Sequence, residues 1–277
     1  MLTAPLLLLG CALPVCTVPP ATAADAPAEP GIAWAPPPHS IEELRAGLPA
    51  GTVIRLRTTS SVKATTEERL SVVQTDEHGT LLRSELYSEH GERIEDLGVE
   101  HLRWSEWQDR SRLPAGNTTH EASSVKVAAG SFETSHYTAT YGETVQHFHY
   151  AKEAPGPPVL STMVADGVEA SRVELLDRRI DPALAASVYV PPTRVKGVKP
   201  AMPPAMDDPA VGSARCIVDL RINESGAVMD VKTVKCVPGT EENSVAAAKL
   251  WVFTPATLDG VPLPSPFRLV FNFNLSP

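Results

Sequence analysis

The chain has 277 residues, which is enough for one or two domains, each with its own core. Hydrophobic residues make up 43% and charged residues 21%, which excludes a polytopic membrane protein and a wholly disordered chain. The formal net charge is −9, and no segment concentrates Lys or Arg, so the composition offers no surface for nucleic-acid phosphates. We therefore expect a globular protein without a nucleic-acid partner.

The amino-terminal segment has the pattern of an export signal. Residues 2–18 are uncharged and largely apolar, and Ala21-Thr22-Ala23 supplies the small residues that signal peptidases accept. This predicts a signal peptide over residues 1–23 and a location in the periplasm or cell envelope.

Two alternatives to a cleaved signal stay open. The sequence Leu8-Leu9-Gly10-Cys11 resembles a bacterial lipobox, which would make Cys11 the lipidated residue of a lipoprotein. An uncleaved anchor is the other alternative, although Pro5 and Pro14 interrupt an apolar run that is short for a bilayer. Membrane contact is expected only if Cys11 is lipidated or the leader is retained.

Proline and charge divide the rest of the chain. Prolines cluster in residues 24–39 and 181–209, and both segments are predicted to be proline-rich linkers. Residues 195–277 contain equal numbers of acidic and basic side chains, so the net negative charge belongs to what precedes them. The prediction is a middle domain over residues 40–180 and a carboxyl-terminal domain over residues 210–277.

The middle domain shows the alternation of an antiparallel sheet. Ser40 and Glu43 form a capping box that starts a short helix. Turn signals such as Asp76–Gly79, Gly142-Glu143 and Asp166-Gly167 then separate segments of alternating apolar and polar residues. We expect an antiparallel β-meander folded as one curved sheet.

The carboxyl-terminal domain is predicted to contain two strands, a helix and a final strand. Residues 216–222 and 228–236 alternate in polarity around a turn, so the hairpin brings Cys216 near Cys236. Because Cys11 and Cys16 lie in the leader, an exported chain would keep this pair alone, which favours a disulfide. The fold class predicted for the whole chain is α+β.

Several motifs follow one another in this last domain. They are Trp251-x-Phe253-x-Pro255-Ala256, then Asp259-Gly260-x-Pro262, then the closing residues 271–275. In this order they resemble the C-terminal domain of the TonB energy-transducer family, over residues ~195–277. The resemblance implies a ββαβ fold in the periplasm that binds a protein by adding the partner's strand to its sheet edge.

The resemblance places the docking edge on the last strand, residues 267–275. It assigns partner binding to the outward side chains Arg268, Val270, Asn272 and Asn274. It also implies an outer-membrane transporter as partner, in energy transduction for transmembrane transport. The alternative is that a second copy of the chain or the preceding domain covers this edge.

The remaining candidate residues are weaker. His147 and His149 share one face of a predicted strand and could bind a metal with His136, but such pairs are usually solvent-facing, so no metal or cofactor is expected. Enzyme motifs are absent, and no catalytic residue is predicted. The alternative function is a periplasmic carrier or lipoprotein whose middle sheet binds an apolar ligand, since the meander resembles the curved sheets of lipoprotein carriers.

Overall fold

The computed structural model describes residues 33–202 and 213–274. Its helices are α1 (Ile41–Gly47), α2 (Trp104–Asp109), α3 (Pro182–Ala185) and α4 (Glu241–Ala248). The predicted capping box starts α1: the Glu43 amide donates to the Ser40 hydroxyl at 3.1 Å, and the Ser40 amide donates to the Glu43 carboxylate at 2.7 Å. None of the helices in the described residues is both long and apolar enough to cross a membrane. The leader, Cys11 and Cys16 lie outside these residues.

The middle region folds into one antiparallel sheet of nine strands. The strands are β1 (Thr52–Ser60), β2 (Thr66–Thr75), β3 (Gly79–Ser88), β4 (Arg93–Arg103), β5 (Thr118–Val127), β6 (Gly130–Tyr141), β7 (Thr144–Ala151), β8 (Leu160–Ala165) and β9 (Val168–Ile180). Their order is β4-β3-β2-β1-β9-β8-β7-β6-β5, so two meanders join where β1 pairs with β9. The amide of Ala129, just after β5, donates to the carbonyl of Leu175 in β9 at 3.2 Å. This half of the sheet therefore curls back on itself.

The two helices α1 and α2 pack on the sheet and complete its main core. Leu44 of α1, Leu48 directly after it, and Trp104 and Trp107 of α2 are buried together with sheet residues such as Leu56. Both indoles are satisfied, since the Trp104 Nε1 donates to the Asp76 carbonyl at 3.1 Å and the Trp107 Nε1 donates to the Thr80 hydroxyl at 2.9 Å. The face that could have held an apolar ligand is thus occupied here by the protein's own helices.

The carboxyl-terminal region forms a second antiparallel sheet. Its strands are β12 (Ser213–Ile222), β13 (Val228–Cys236) and β17 (Ser265–Asn274), in the order β13-β12-β17. The apolar face of this sheet packs with residues of and after α4, including Ala248 and Phe253. Cys216 lies opposite Cys236 with the two Cα atoms 3.9 Å apart, and the predicted disulfide joins them.

Five short strands surround this second sheet. They are β10 (Tyr189–Val190), β11 (Thr193–Lys196), β14 (Val252–Thr254), β15 (Ala256–Leu258) and β16 (Val261–Leu263). β10 pairs with β15, and β11 pairs with β14. Residues 189–196, which the proline pattern assigned to a linker, are therefore hydrogen-bonded to the carboxyl-terminal region. Three short strands also separate α4 from β17, where the sequence pattern predicted none.

The large sheet packs against the β15–β16 hairpin, which leads directly into β17, through a separate apolar cluster, here called the joining cluster. It contains Val73, Leu81 and Val99 from the large sheet and Leu258 and Leu263 from the β15–β16 hairpin. Next to it, the Val99 amide donates to the Pro264 carbonyl at 3.1 Å. The neighbouring Gly98 has a φ of 77°, and a Cβ there would collide with that carbonyl, so the close approach requires glycine.

Candidate functional site

The candidate docking strand β17 lies at an edge of the carboxyl-terminal sheet. In the described part of the chain its strand partner is β12, so its other side faces no strand of this sheet. The side chains alternate as predicted. Leu269, Phe271 and Phe273 are buried, whereas Val270 is 39% exposed and Asn272 is exposed. Asn274 ends the strand, and its side chain is not among those described.

The register shows which backbone groups of β17 point toward the open side. The carbonyl of Arg215 in β12 accepts the Val237 amide at 3.1 Å, so the backbone groups of Arg215 face β13. Backbone direction alternates in an antiparallel strand, so those of Cys216 face β17, where its partner is Phe271. The amides and carbonyls of Val270 and Asn272 are therefore directed away from β12. The sequence singled out these residues by side-chain face, and the register adds the direction of their hydrogen-bonding groups.

Arg268 is held by its own sheet. Its guanidinium donates to Asp219 twice, from Nε to Oδ1 at 2.7 Å and from Nη2 to Oδ2 at 2.9 Å. The hydrogen bond to Asp219 raises the pKa of Arg268 above its ordinary value. This bidentate pair fixes the side chain on the exposed face of the sheet, beside Val270.

The exposed face of this sheet is more basic than acidic. Cross-strand pairing places five basic and two acidic side chains on it, namely Arg215, Arg221, Lys232, Lys235 and Arg268 against Asp219 and Asp230. The chain as a whole is acidic, with a formal net charge of −9. The sequence alone does not indicate this surface, because the face is assembled from three strands and only their register brings the charges together.

The beginning of β17 lies beside the large sheet. A cavity of about 310 Å³ separates it from the large sheet, and its lining includes Pro266, Phe267 and Arg268 opposite Val99 and Tyr189. Together with the hydrogen bond between the Val99 amide and the Pro264 carbonyl, this contact leaves the later part of the strand, residues 269–274, as the accessible edge.

The three histidines that the sequence pattern singled out come together on β6 and β7. The His136 and His149 rings are stacked, with centroids 4.1 Å apart, and the His136 Nε2 lies 3.1 Å from the His147 Nδ1. Burial, with the neighbouring imidazoles, lowers the pKa of His149 to about 4 and lowers that of His147. Among the described side chains, no three or more His, Cys, Asp or Glu residues are arranged as a complete metal site.

Glu68 is a buried carboxyl that sequence analysis did not single out. It is 3% exposed on β2, and among the described residues neither of its carboxylate oxygens has a hydrogen-bond partner. Burial raises its pKa well above the ordinary value for Glu. The polar and apolar alternation of β2 gave no sign of it, because Glu67 and Glu68 are adjacent and point to opposite faces.

Comparison with known proteins finds a match at the carboxyl-terminal sheet. No curated protein matches the chain. Residues 212–275 match the family model of the Gram-negative bacterial TonB protein C-terminal domain, which is less than a quarter of the chain. This confirms the resemblance drawn from the Trp251–Pro262 motifs. The region formed by β12, β13, α4 and β17 is thus similar to the C-terminal domain of TonB.

Proposed function

We propose that this chain is a non-enzymatic cell-envelope protein whose carboxyl-terminal sheet binds a partner protein by strand addition at β17. The observation that carries the proposal is the orientation of Val270 and Asn272, whose amides and carbonyls face the open edge of the sheet. An added strand would pair with these groups, and its side chains would contact Val270 and Asn272.

The position and charge of the edge indicate where a partner strand would pair and which side chains it would carry. The first residues of β17 lie against the large sheet, so the partner would pair along residues 269–274. Its exposed side chains would lie next to a face that is more basic than acidic, which favours acidic or polar residues in the partner.

The proposal also includes a location in the cell envelope and a class of partner. The disulfide favours an oxidising compartment, and the similarity to the TonB C-terminal domain favours the periplasm. The partner class that we propose is an outer-membrane transporter, with the chain acting in TonB-type energy transduction.

Photocrosslinking in the native cells tests the docking edge. A photoreactive amino acid in place of Asn272 in the full chain is expected to form an adduct with an outer-membrane transporter, identified by mass spectrometry. Adducts of the chain with itself would contradict the proposal, because they would show that a second copy occupies the edge.

A proline substitution provides the matched control. Val270→Pro removes an amide that faces the open edge and leaves the β12 pairing intact, so the adduct should be lost. Val231→Pro makes the same change on the outer edge of β13, since Val231 pairs with Leu220 in a regular part of the register and the backbone of Leu220 faces β17. This control should keep the adduct. Equal loss in both variants would mean that the effect is structural rather than specific to β17.

The carrier alternative has no comparable support. It requires an apolar face of the large sheet to be available to a ligand, and α1 and α2 cover the main core face with Leu44, Leu48, Trp104 and Trp107.

A further inference from the structure

The three-histidine cluster lies on the large sheet, whereas the docking edge belongs to the carboxyl-terminal sheet, so the cluster takes no part in strand addition. Its members lie on β6 and β7, where His136 pairs with His149 and Thr138 pairs with His147. The two pairs lie two residues apart along each strand, and side chains alternate between faces with a period of two, so all four side chains share one face of the sheet.

Three donor atoms of this cluster form a nearly equilateral triangle. The His136 Nε2 and the His147 Nδ1 are 3.1 Å apart, and the Thr138 hydroxyl oxygen is 3.3 Å from the first and 3.2 Å from the second. Two nitrogens at this separation subtend about 100° at an ion bound at about 2.05 Å from each, near the tetrahedral angle that zinc prefers.

Protons alone satisfy this triangle poorly. With both imidazoles neutral, each ring nitrogen either donates or accepts, and the Thr138 hydroxyl has one proton, so separate protons can turn at most two of the three contacts into hydrogen bonds. A cation at the centre of the site would accept an electron pair from every corner.

Glu121 on β5 supplies an outer contact of the kind that orients metal ligands. Its carboxylate oxygen lies 3.4 Å from the His136 Nδ1, which is the ring nitrogen that faces away from the triangle. The nearby negative charge favours the tautomer with its proton on Nδ1, which leaves the lone pair on Nε2, directed toward His147 and Thr138. Carboxylate–histidine pairs commonly fix the tautomer of metal-binding histidines in this way.

We propose that His136 and His147 bind a first-row transition-metal ion such as Zn²⁺, with the Thr138 hydroxyl and water completing the coordination. Imidazole nitrogen is a preferred ligand of Zn²⁺, Cu²⁺ and Ni²⁺. His149 stacks flat on His136 and supports its ring orientation, and Glu121 acts as a positioning residue. This revises the expectation of a chain without a metal, and it is independent of the proposed docking function.

Titration calorimetry with ZnCl₂ tests the site on the full chain after treatment with a chelator. One ion is expected to bind per chain. His147→Gln should weaken binding by at least about tenfold, as loss of a ligand does, whereas His78→Gln removes an exposed histidine far along the sequence and should leave it unchanged. Absence of zinc binding, or equal affinity in the wild type and His147→Gln, would overturn the proposal.

A spectroscopic measurement on the wild-type chain keeps the proposal testable even if His147→Gln does not fold. Cu²⁺ added to the wild-type chain should give an electron paramagnetic resonance spectrum with hyperfine coupling to two imidazole nitrogens. His136→Gln, which changes the other strand, should reduce this to one nitrogen. A spectrum without nitrogen coupling in the wild type would show that the cluster is held together by hydrogen bonds alone.

Discussion

At the scale of single residues, the buried carboxyl of Glu68 makes the stability of the large sheet depend on pH. Burial raises the pKa of Glu68 in the folded chain well above the value of 4.5 that an exposed Glu has. In the pH interval between these two values the folded state therefore holds a proton that the unfolded state has lost. Because the unfolded state binds fewer protons there, the free energy of unfolding falls as the pH rises through the interval.

The variant Glu68→Gln removes this dependence, because an amide does not ionise. We expect the free energy of unfolding of the variant to exceed that of the wild type at pH 8, by on the order of 1 kcal/mol or more, and by less at pH 5. Urea denaturation at the two pH values measures the difference. Glu77→Gln, at a side chain that is 80% exposed, is the control and should show no such trend. A constant difference between the wild type and Glu68→Gln at both pH values would contradict an ionisation effect.

At the scale of single elements, β17 should show an alternating pattern of amide protection. Leu269 and Phe271 direct their amides to β12, whereas Val270 and Asn272 direct theirs to the open edge. We expect the amides of Val270 and Asn272 to exchange with solvent at least roughly tenfold faster than those of Leu269 and Phe271 in the full chain. Hydrogen exchange followed by NMR measures this directly. Equal protection at all four amides would mean that the edge is already paired.

The elements also show what the sequence could predict. Local sequence is enough to predict the capping box at Ser40 and the pairing of Cys216 with Cys236. Each depends on residues that are close along the chain or across one turn. The alternation of β17 likewise predicted its exposed residues. The basic face and the histidine triangle could not be predicted, because each is assembled from neighbouring strands and the sequence does not specify how those strands are aligned.

The short strands β10 and β11 were not predicted from the sequence. Proline-rich composition indicated a spacer at residues 181–209, because prolines favour extended chain without a core of its own. Extended chain is also ready to pair at an edge, and Tyr189 and Thr193 find partners in Leu258 and Thr254, more than 60 residues later. Composition described the local conformation of this segment and missed its distant contacts.

At the scale of the whole molecule, the joining cluster should make the two sheets unfold together. Leu263 is 2% exposed and packs with residues of the large sheet. Leu263→Ala should lower the free energy of unfolding by about 2–5 kcal/mol and separate one calorimetric transition into two. Leu250→Ala, at a side chain that is 61% exposed in the same region, should change neither. A single transition with an unchanged midpoint in Leu263→Ala would contradict this role of the joining cluster, and two transitions already present in the wild type would show that the sheets unfold independently.

The hydrogen bond between Val99 and Pro264 has a mechanical consequence for a partner docked on β17. Tension applied along such a partner would load the β17 ladder in shear, with many hydrogen bonds resisting at once. The load would reach the start of β17, where Pro264 is fastened to β4, and would spread into nine strands rather than ending in three. The disulfide between β12 and β13 would meanwhile keep the far side of the small sheet from peeling away. With the docking proposed above, a pulling force on the bound strand would pass into the body of the protein.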